Sequence, residues 1–193
     1  MVIRNRCFRR VIMKAKRARE NVEDYELIGW GNKRVRLSSL FGEKDELILI
    51  HNMGRGCPYC TMWADGFNGV LPHLEDRAAF AVVSPDPPSV QQKFATGRGW
   101  RFQMFSSKET PFSTDMGYEK RNGMKVPGVS VFKRDKNGKI FRISKDVFGP
   151  GDDYNVVWHF FDLLPAVARA GSHSSPIDRN GSMCPENGRL TSV

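Results

Sequence analysis

The sequence predicts an α/β fold, with a central mixed sheet flanked by helices and preceded by an N-terminal hairpin. Two apolar runs, residues 47–50 and 80–84, are typical of strands buried on both faces of a mainly parallel sheet. A helical pattern lies between them, and the order strand, helix, strand implies a right-handed crossover. At 193 residues, the chain is long enough for one domain with a full core and too short for two.

Residues 1–24 are interpreted as a basic N-terminal arm. The chain carries a formal charge of +9, and eight basic residues precede the first acidic one. They are Arg4, Arg6, Arg9, Arg10, Lys14, Lys16, Arg17 and Arg19. When these eight are left out, 22 of the 30 basic residues remain, against 21 acidic residues, so the body of the chain is nearly neutral. No specific nucleic-acid partner is therefore expected. Polyanion binding or organellar targeting stays open, but a solvated arm, or a start at Met13, is favoured.

Residues 25–165 form the predicted domain, which opens with the hairpin. Residues 25–30 and 34–37 flank the turn Gly31-Asn32-Lys33, and residues 38–42 suggest a brief helical turn before the first buried strand. The helical pattern after that strand should kink at Pro72. A second helix should begin with Ser89 as its cap.

The second half of the predicted domain begins with an aromatic stretch, residues 100–118, interpreted as core and loop packing. Residues 126–132 and 139–143 flank an Asp-Lys-Asn-Gly turn and predict a second hairpin. Asp152 or Asp153 should cap a closing amphipathic helix that ends at Pro165. Residues 166–193 are rich in Ser, Asn, Gly and Pro, which favours a disordered tail.

A Cys-x-x-Cys motif, Cys57-Pro58-Tyr59-Cys60, follows the first apolar strand directly. Pro58 lacks an N–H and has its φ preset, so a helix should begin there with Cys57 at its cap. Unpaired amides at a helix N-terminus favour a thiolate, which lowers the pKa of the first cysteine. Cys60, one turn later, can attack a mixed disulfide formed on Cys57. This pattern indicates a redox-active dithiol that needs no bound cofactor.

Structural zinc and inert buried thiols are the alternatives to a redox dithiol. Zinc would need further ligands, and the candidates, His51 among them, form no second close pair, so no metal is expected. Cys7 and Cys184 lie in polar tails and should stay free, without a structural disulfide. No apolar run approaches the roughly 20 residues of a membrane span, and the start lacks the apolar region of a secretory signal. We expect a cytoplasmic protein without a membrane partner.

In this order, the elements resemble the thioredoxin-like superfamily, and the leading hairpin with residues 37–41 resembles its peroxiredoxin and TlpA-type branch. More specifically, several segments resemble DUF899, a bacterial family of unknown function. These segments are residues 56–60, 63–69, 71–74, 82–84, 99–102 and 128–132. The resemblance spans roughly residues 25–165. It implies the fold and leaves the activity to the site, since fold does not fix function.

The resemblance to thioredoxins also implies roles for residues around the cysteines. His51 lies six residues before Cys57, where thioredoxins place a buried acid that assists proton transfer; a hydrogen-bonded histidine at a strand end is the equal alternative. Val126-Pro127 stands where these proteins carry a cis-proline beside the cysteines, with the preceding backbone free to pair with an extended substrate. Tyr59 and Trp63 complete the predicted substrate-binding set.

The function predicted is thiol-disulfide oxidoreductase, with Cys57 as nucleophile and Cys60 as resolving cysteine. The substrate would be a protein or low-molecular-weight disulfide, and use of glutathione stays open. A peroxiredoxin-like peroxidase ranks second, because Ile50 and Gly54 replace the Pro and Thr of the Pro-x-x-x-Thr-x-x-Cys pattern. A non-catalytic thioredoxin-fold binding protein is a further alternative. Glutaredoxins share Cys-Pro-Tyr-Cys but lack the leading hairpin and the long segment between residues 84 and 126.

Overall fold

A computed structural model describes residues 19–165. The expectations for most of the basic arm, for residues 166–193 and for Cys7 and Cys184 lie outside the described residues. The described strands are β1 (Glu20–Val22), β2 (Glu26–Gly29), β3 (Lys33–Arg36), β4 (Glu46–His51), β5 (Ala79–Ser84), β6 (Gln103–Ser106), β7 (Gly128–Arg134) and β8 (Ile140–Val147). The described α-helices are α1 (Pro58–Gly69), α2 (Leu71–Arg77), α3 (Pro88–Gly97), α4 (Phe112–Asp115) and α5 (Val157–Phe161).

All eight strands belong to one mixed sheet, in the order β1-β8-β7-β4-β5-β6-β2-β3. Strand β4 runs parallel to β5, and β5 runs parallel to β6, whereas every other neighbouring pair is antiparallel. Both predicted hairpins, β2–β3 and β7–β8, are present. The predicted fold class, a central mixed sheet with helices and an N-terminal hairpin, is confirmed.

Strand β4 separates two hydrophobic cores because its side chains alternate between the sheet faces. Ile48 and Ile50 pack into the core under α1, α2 and α3, which also contains Cys60. Leu47 and Leu49 pack into the core on the other face, against the 3₁₀ turn Leu37–Phe41 and α4. The face on which a β4 side chain lies therefore decides whether it can reach the cysteines.

Two strands lie where the sequence indicated none. Strand β1 falls within the range interpreted as the basic arm, and β6 falls within the aromatic stretch interpreted as loop packing. Strand β1 pairs with β8, where the carboxylate of Glu20 accepts hydrogen bonds from the buried Arg142 at 3.0 and 2.5 Å. This contact joins residues far apart in the chain, so no local pattern could indicate it.

Three helix boundaries differ from the predictions. The kink expected at Pro72 is a break at Val70, because Pro72 occupies the first turn of a new helix, where a missing N–H costs little. Helix α3 begins at Pro88, so Ser89 does not cap it. The closing helix has only five residues and begins after Val156, so Asp152 does not cap it; the Asp152 carboxylate accepts the backbone N–H groups of Gly149 and Tyr154 in the preceding turn. Within residues 19–165, no helix has the length and apolar character needed to cross a membrane.

Candidate active site

Cys57 occupies the N-cap position of α1, and Pro58 is the first helical residue, as predicted. The Cys57 side chain is half-buried, and its Sγ accepts a hydrogen bond from the Cys60 backbone N–H at 3.2 Å. Its carbonyl oxygen accepts bonds from the Thr61 backbone N–H at 3.1 Å and from the Thr61 hydroxyl at 3.2 Å. These contacts hold the sulfur over the open end of the helix, where amide groups stabilise negative charge.

The loop between β4 and α1 is held by an acidic residue of the neighbouring strand end, Asp86. Its carboxylate accepts the Arg55 backbone N–H at 2.7 Å, and the Gly54 carbonyl accepts the Cys57 backbone N–H at 3.1 Å. Gly54 has a φ of +103°, and a Cβ there would lie 3.0 Å from an Asp86 oxygen. The loop therefore needs glycine at this position.

Asp86 was not singled out from the sequence. It follows strand β5, which is parallel to β4, so the loops that leave the two strands emerge at the same edge of the sheet. An acidic residue two positions after the second buried strand was the available signal.

The pKa of Cys57 is lowered to about 7, chiefly by a hydrogen bond from the Cys60 thiol and further by the backbone N–H groups of Cys60 and Tyr59, against an opposing effect of burial. A lowered pKa makes a substantial fraction of this half-buried sulfur a thiolate near neutral pH.

Cys60 has the opposite character. Its side chain is 3% exposed, and its pKa is raised by the hydrogen bond to Cys57, by burial and by the charge of Cys57. Its Sγ accepts the Met53 backbone N–H at 3.4 Å, which opposes these effects. Two thiols one helical turn apart thus differ in exposure and acidity in the sense that a nucleophile and a resolving cysteine require.

The ring of Tyr59 lies between two tryptophans, with centroid distances of 6.3 Å to Trp63 and 5.9 Å to Trp158. Tyr59 is half-buried and keeps some surface beside Cys57. Trp63 is 3% exposed, and its Nε1 donates to Asp152 Oδ1 at 3.3 Å. The interpretation of Trp63 as a substrate-binding residue is therefore corrected, because its ring is enclosed in the core.

His51 lies at the end of β4, on the face of the sheet opposite to the cysteines. Its Nε2 and the Ser130 hydroxyl share a hydrogen bond of 3.0 Å, and its ring stacks on Tyr118 at a centroid distance of 3.7 Å. Burial, with a smaller effect of the Arg142 charge, holds the pKa of His51 well below its ordinary range. These contacts make His51 a hydrogen-bonded histidine at a strand end, which is the alternative to a role in proton transfer to Cys60.

The zinc site considered above would need His51 as a ligand beside Cys57 and Cys60. His51 lies on the opposite face of the sheet, so these three side chains do not come together. Among the residues that the structure describes, no three His, Cys, Asp or Glu side chains are grouped so that they could hold a metal ion.

The bond between Val126 and Pro127 is trans, so the prediction of a cis-proline is wrong. The backbone here continues toward β7, and the Pro127 carbonyl accepts the Phe148 backbone N–H at 2.9 Å. The Val126 N–H donates to the Tyr118 carbonyl at 2.9 Å, so this donor is not free to pair with an extended substrate. With this trans bond the chain enters β7, which pairs with β4 in the antiparallel sense, from His51 opposite Gly128 to Glu46 opposite Lys133.

Comparison with known proteins gives a family and a fold. Residues 20–176 match the family described as "Bacterial protein of unknown function (DUF899)". No curated protein sequence matches the chain.

Several solved structures are similar to the chain. Peroxidoxin BcpB from Mycobacterium tuberculosis superposes with a TM-score of 0.56 at 20% identity, covering 78% of this chain and 99% of that one. A mutant of PrxQ from Xylella fastidiosa gives a TM-score of 0.55 at 18% identity, covering 75% and 94%. The mitochondrial 2-Cys peroxiredoxin from Plasmodium falciparum gives 0.53 at 17% identity, covering 80% and 98%. At these identities the likeness establishes the thioredoxin fold and nothing finer.

Proposed function

Because the chain belongs to the bacterial DUF899 family, whose description assigns no activity, we propose its function from the site: a thiol-disulfide oxidoreductase that uses Cys57 as nucleophile and Cys60 as resolving cysteine. The observation that carries this proposal is the N-cap position of Cys57. Its sulfur accepts the Cys60 N–H at 3.2 Å, and its pKa is lowered to about 7, while Cys60 is buried one turn below. Such a pair can complete a disulfide exchange without another group.

In the first step, the Cys57 thiolate attacks one sulfur of a substrate disulfide. A bond forms between Cys57 and that sulfur, the substrate S–S bond breaks, and the other substrate sulfur leaves as a thiolate. In the second step, Cys60 loses its proton to solvent and attacks Cys57 Sγ. The Cys57–Cys60 disulfide forms, and the second substrate sulfur leaves as a thiolate. The substrate gains two electrons and the protein loses two.

The substrate class follows from exposure. Cys57 is half-buried and Cys60 is buried, so only Cys57 is open to a substrate, which must approach along the start of α1. The two residues that precede Cys57, Arg55 and Gly56, are exposed, so the start of α1 lies at the protein surface. We therefore propose an accessible disulfide of a protein or of a small molecule, glutathione disulfide included, as the substrate.

A single-turnover experiment tests this proposal. The reduced protein is mixed with a disulfide-bonded peptide or with glutathione disulfide, quenched with acid and examined by mass spectrometry of its peptides. The wild-type protein should end with a Cys57–Cys60 disulfide, C60S should stop at a mixed disulfide on Cys57, and C57S should form neither. If C57S exchanged as fast as the wild-type protein, or C60S accumulated no mixed disulfide, the assignment would be wrong.

A peroxidase is the second candidate, because the solved structures with the same fold that are described above include a peroxidoxin and a 2-Cys peroxiredoxin. A peroxide would transfer one oxygen atom to the Cys57 thiolate to give a sulfenic acid, its O–O bond breaking to release an alcohol, or water from hydrogen peroxide. Cys60 would then condense with the sulfenic acid to the same disulfide, releasing water. Ile50 and Gly54 stand in place of the Pro and Thr of the peroxiredoxin pattern and argue against this activity. Hydrogen peroxide in the same quench experiment separates the two functions: oxidation of Cys57 much faster by peroxide than by the disulfides would favour the peroxidase.

A further inference from the structure

A cavity of about 290 Å³ lies between the N-terminal hairpin and strand β6. It exists because β2 pairs with β6 only at Ile28 and Ser106, after which the chain turns away at Trp30. The residues that give the cavity its chemistry are Trp30, Lys33, Trp100, Arg101, Phe102 and Phe105. Ligand pockets usually measure roughly 300–1,000 Å³, so this cavity suits a small ligand.

Aromatic rings form the walls of this cavity. The Trp100 ring lies 5.3 Å from that of Phe102, and the Trp100 Nε1 donates to Asp65 at 2.7 Å. The Trp30 Nε1 is also buried but has no hydrogen-bond partner within the described chain. Because this atom is enclosed, a ligand in the open part of the cavity meets the Trp30 ring and not its N–H.

The rim of the cavity is cationic. Lys33 and Arg101 are exposed, and neither forms an ion pair within residues 19–165. The Arg101 guanidinium reaches only the Asn68 carbonyl, at 3.5 Å. The described lining residues include no carboxylate. Arg34, the next residue along β3, differs because it pairs with Glu26 and does not line the cavity.

We propose that this cavity binds a planar aromatic anion of one or two fused rings, with its ring against the aromatic walls and its anionic group on Lys33 and Arg101. The walls favour a flat π-system because aromatic side chains pack best on other rings. The rim favours negative charge because both of its charged groups are cations, and a guanidinium binds a carboxylate or phosphate with paired hydrogen bonds. The site does not depend on the chemistry of Cys57.

Isothermal titration calorimetry with three probes tests the proposal on the full chain. The probes are 2-naphthoate, an aromatic anion; 2-naphthylmethylammonium, an aromatic cation; and cyclohexanecarboxylate, an anion without a π-system. We expect the dissociation constant of naphthoate to be lower than that of either other probe by about tenfold or more, the effect of one charge-assisted hydrogen bond or of good ring packing.

Four variants locate the binding. K33Q and R101Q should each weaken naphthoate binding by about tenfold, because each loses one charge-assisted contact. W30F keeps an aromatic ring at the wall and removes only the enclosed N–H, so it should bind naphthoate nearly as the wild-type protein does. R34Q is the matched control on the same strand and should bind as the wild-type protein does. Thermal unfolding of each variant checks that the fold is kept.

Three results would overturn the proposal. One is the absence of saturable naphthoate binding to the wild-type protein. The second is equal binding of the aromatic cation, which would indicate an apolar surface without charge selection. The third is a double variant K33Q/R101Q that binds naphthoate as tightly as R34Q does, which would place the ligand elsewhere.

Discussion

The hydrogen bond between the two thiols should set the reactivity of Cys57, and two substitutions of Cys60 separate it from the effect of the helix. C60A removes the thiol that donates to the Cys57 sulfur, the largest cause of its lowered pKa, and leaves the backbone N–H groups in place. C60S keeps a hydroxyl donor of similar size at the same position. We therefore expect the pKa of Cys57 to rise in C60A and to stay low in C60S.

The size of the effect follows from the strength of the bond. A hydrogen bond to a charged group contributes about 1.5–3 kcal/mol. We expect the low end of this range here, because Cys57 is half-buried and solvent screens the charge on its sulfur. One pKa unit corresponds to about 1.36 kcal/mol, so C60A should raise the pKa by about one unit. From a value of about 7, this change lowers the thiolate fraction at pH 7 from about a half to about a tenth. Alkylation of Cys57 at that pH should slow about fivefold.

The assay is the rate of iodoacetamide alkylation as a function of pH, with peptide mapping to assign the modified cysteine. In the reduced wild-type protein, Cys57 should react first, and Cys60 should lag because it is 3% exposed. The reasoning is refuted if C60A and C60S give the same pKa for Cys57. It is also refuted if the wild-type Cys57 titrates like a free cysteine near pH 8.5, or if Cys60 is modified first.

Three further predictions concern the residues around the site. The pKa of His51 lies well below its ordinary range, so the unfolded protein takes up a proton on this residue below about pH 6.5 and the folded protein does not. The free energy of unfolding should therefore decrease as the pH is lowered, by up to about 1.4 kcal/mol for each pH unit below that point. Urea unfolding between pH 7.5 and 5.5 should show this dependence in the wild-type protein and lose it in H51Q. G128A places a Cβ 2.5 Å from a ring carbon of Tyr118 and should cost about 1–3 kcal/mol in the same assay, and a loss below 0.5 kcal/mol would contradict this. G54A should slow disulfide exchange, because residue 54 has a φ of +103° and the new Cβ would lie against Asp86. G56A is the control and should leave the rate unchanged, because its Cβ meets nothing within 4 Å. Equal rates in the two variants would show that the loop adapts.

Local sequence signals were sufficient for the elements that carry the cysteines. An apolar run identified β4, and a proline directly after a cysteine placed the start of α1 at Pro58 and its cap at Cys57. These features depend on neighbours within a few residues, through preset φ angles and unpaired amides. The Asp135–Gly138 turn was predictable for the same reason, since the Asp135 side chain bonds the N–H groups of Asn137 and Lys139.

The remaining features depend on contacts between distant parts of the chain. The local sequence does not indicate strand β6, because Phe102, Met104 and Phe105 are all buried and the stretch shows neither alternation nor a uniform apolar run. The role of His51 depends on which sheet face it occupies, and that follows from its place in β4, where Leu49 and His51 share a face and Ile50 takes the other. An offset of six residues from Cys57 does not fix this face, because the loop between them can turn either way.

With His51 on the other face, the activation of Cys60 needs another source, and the pair itself provides one. Two of the three effects that raise the pKa of Cys60 come from Cys57: the hydrogen bond to its sulfur and the Coulomb repulsion between the two charges. Both depend on the Cys57 thiolate, which loses its charge once its sulfur is bonded in a mixed disulfide. Burial then remains alone against the Met53 N–H, 3.4 Å from the Cys60 sulfur, so the pKa of Cys60 should fall in the intermediate that it must attack. The first step of the exchange would thus prepare the second, and Cys60 stays protonated while Cys57 carries the charge.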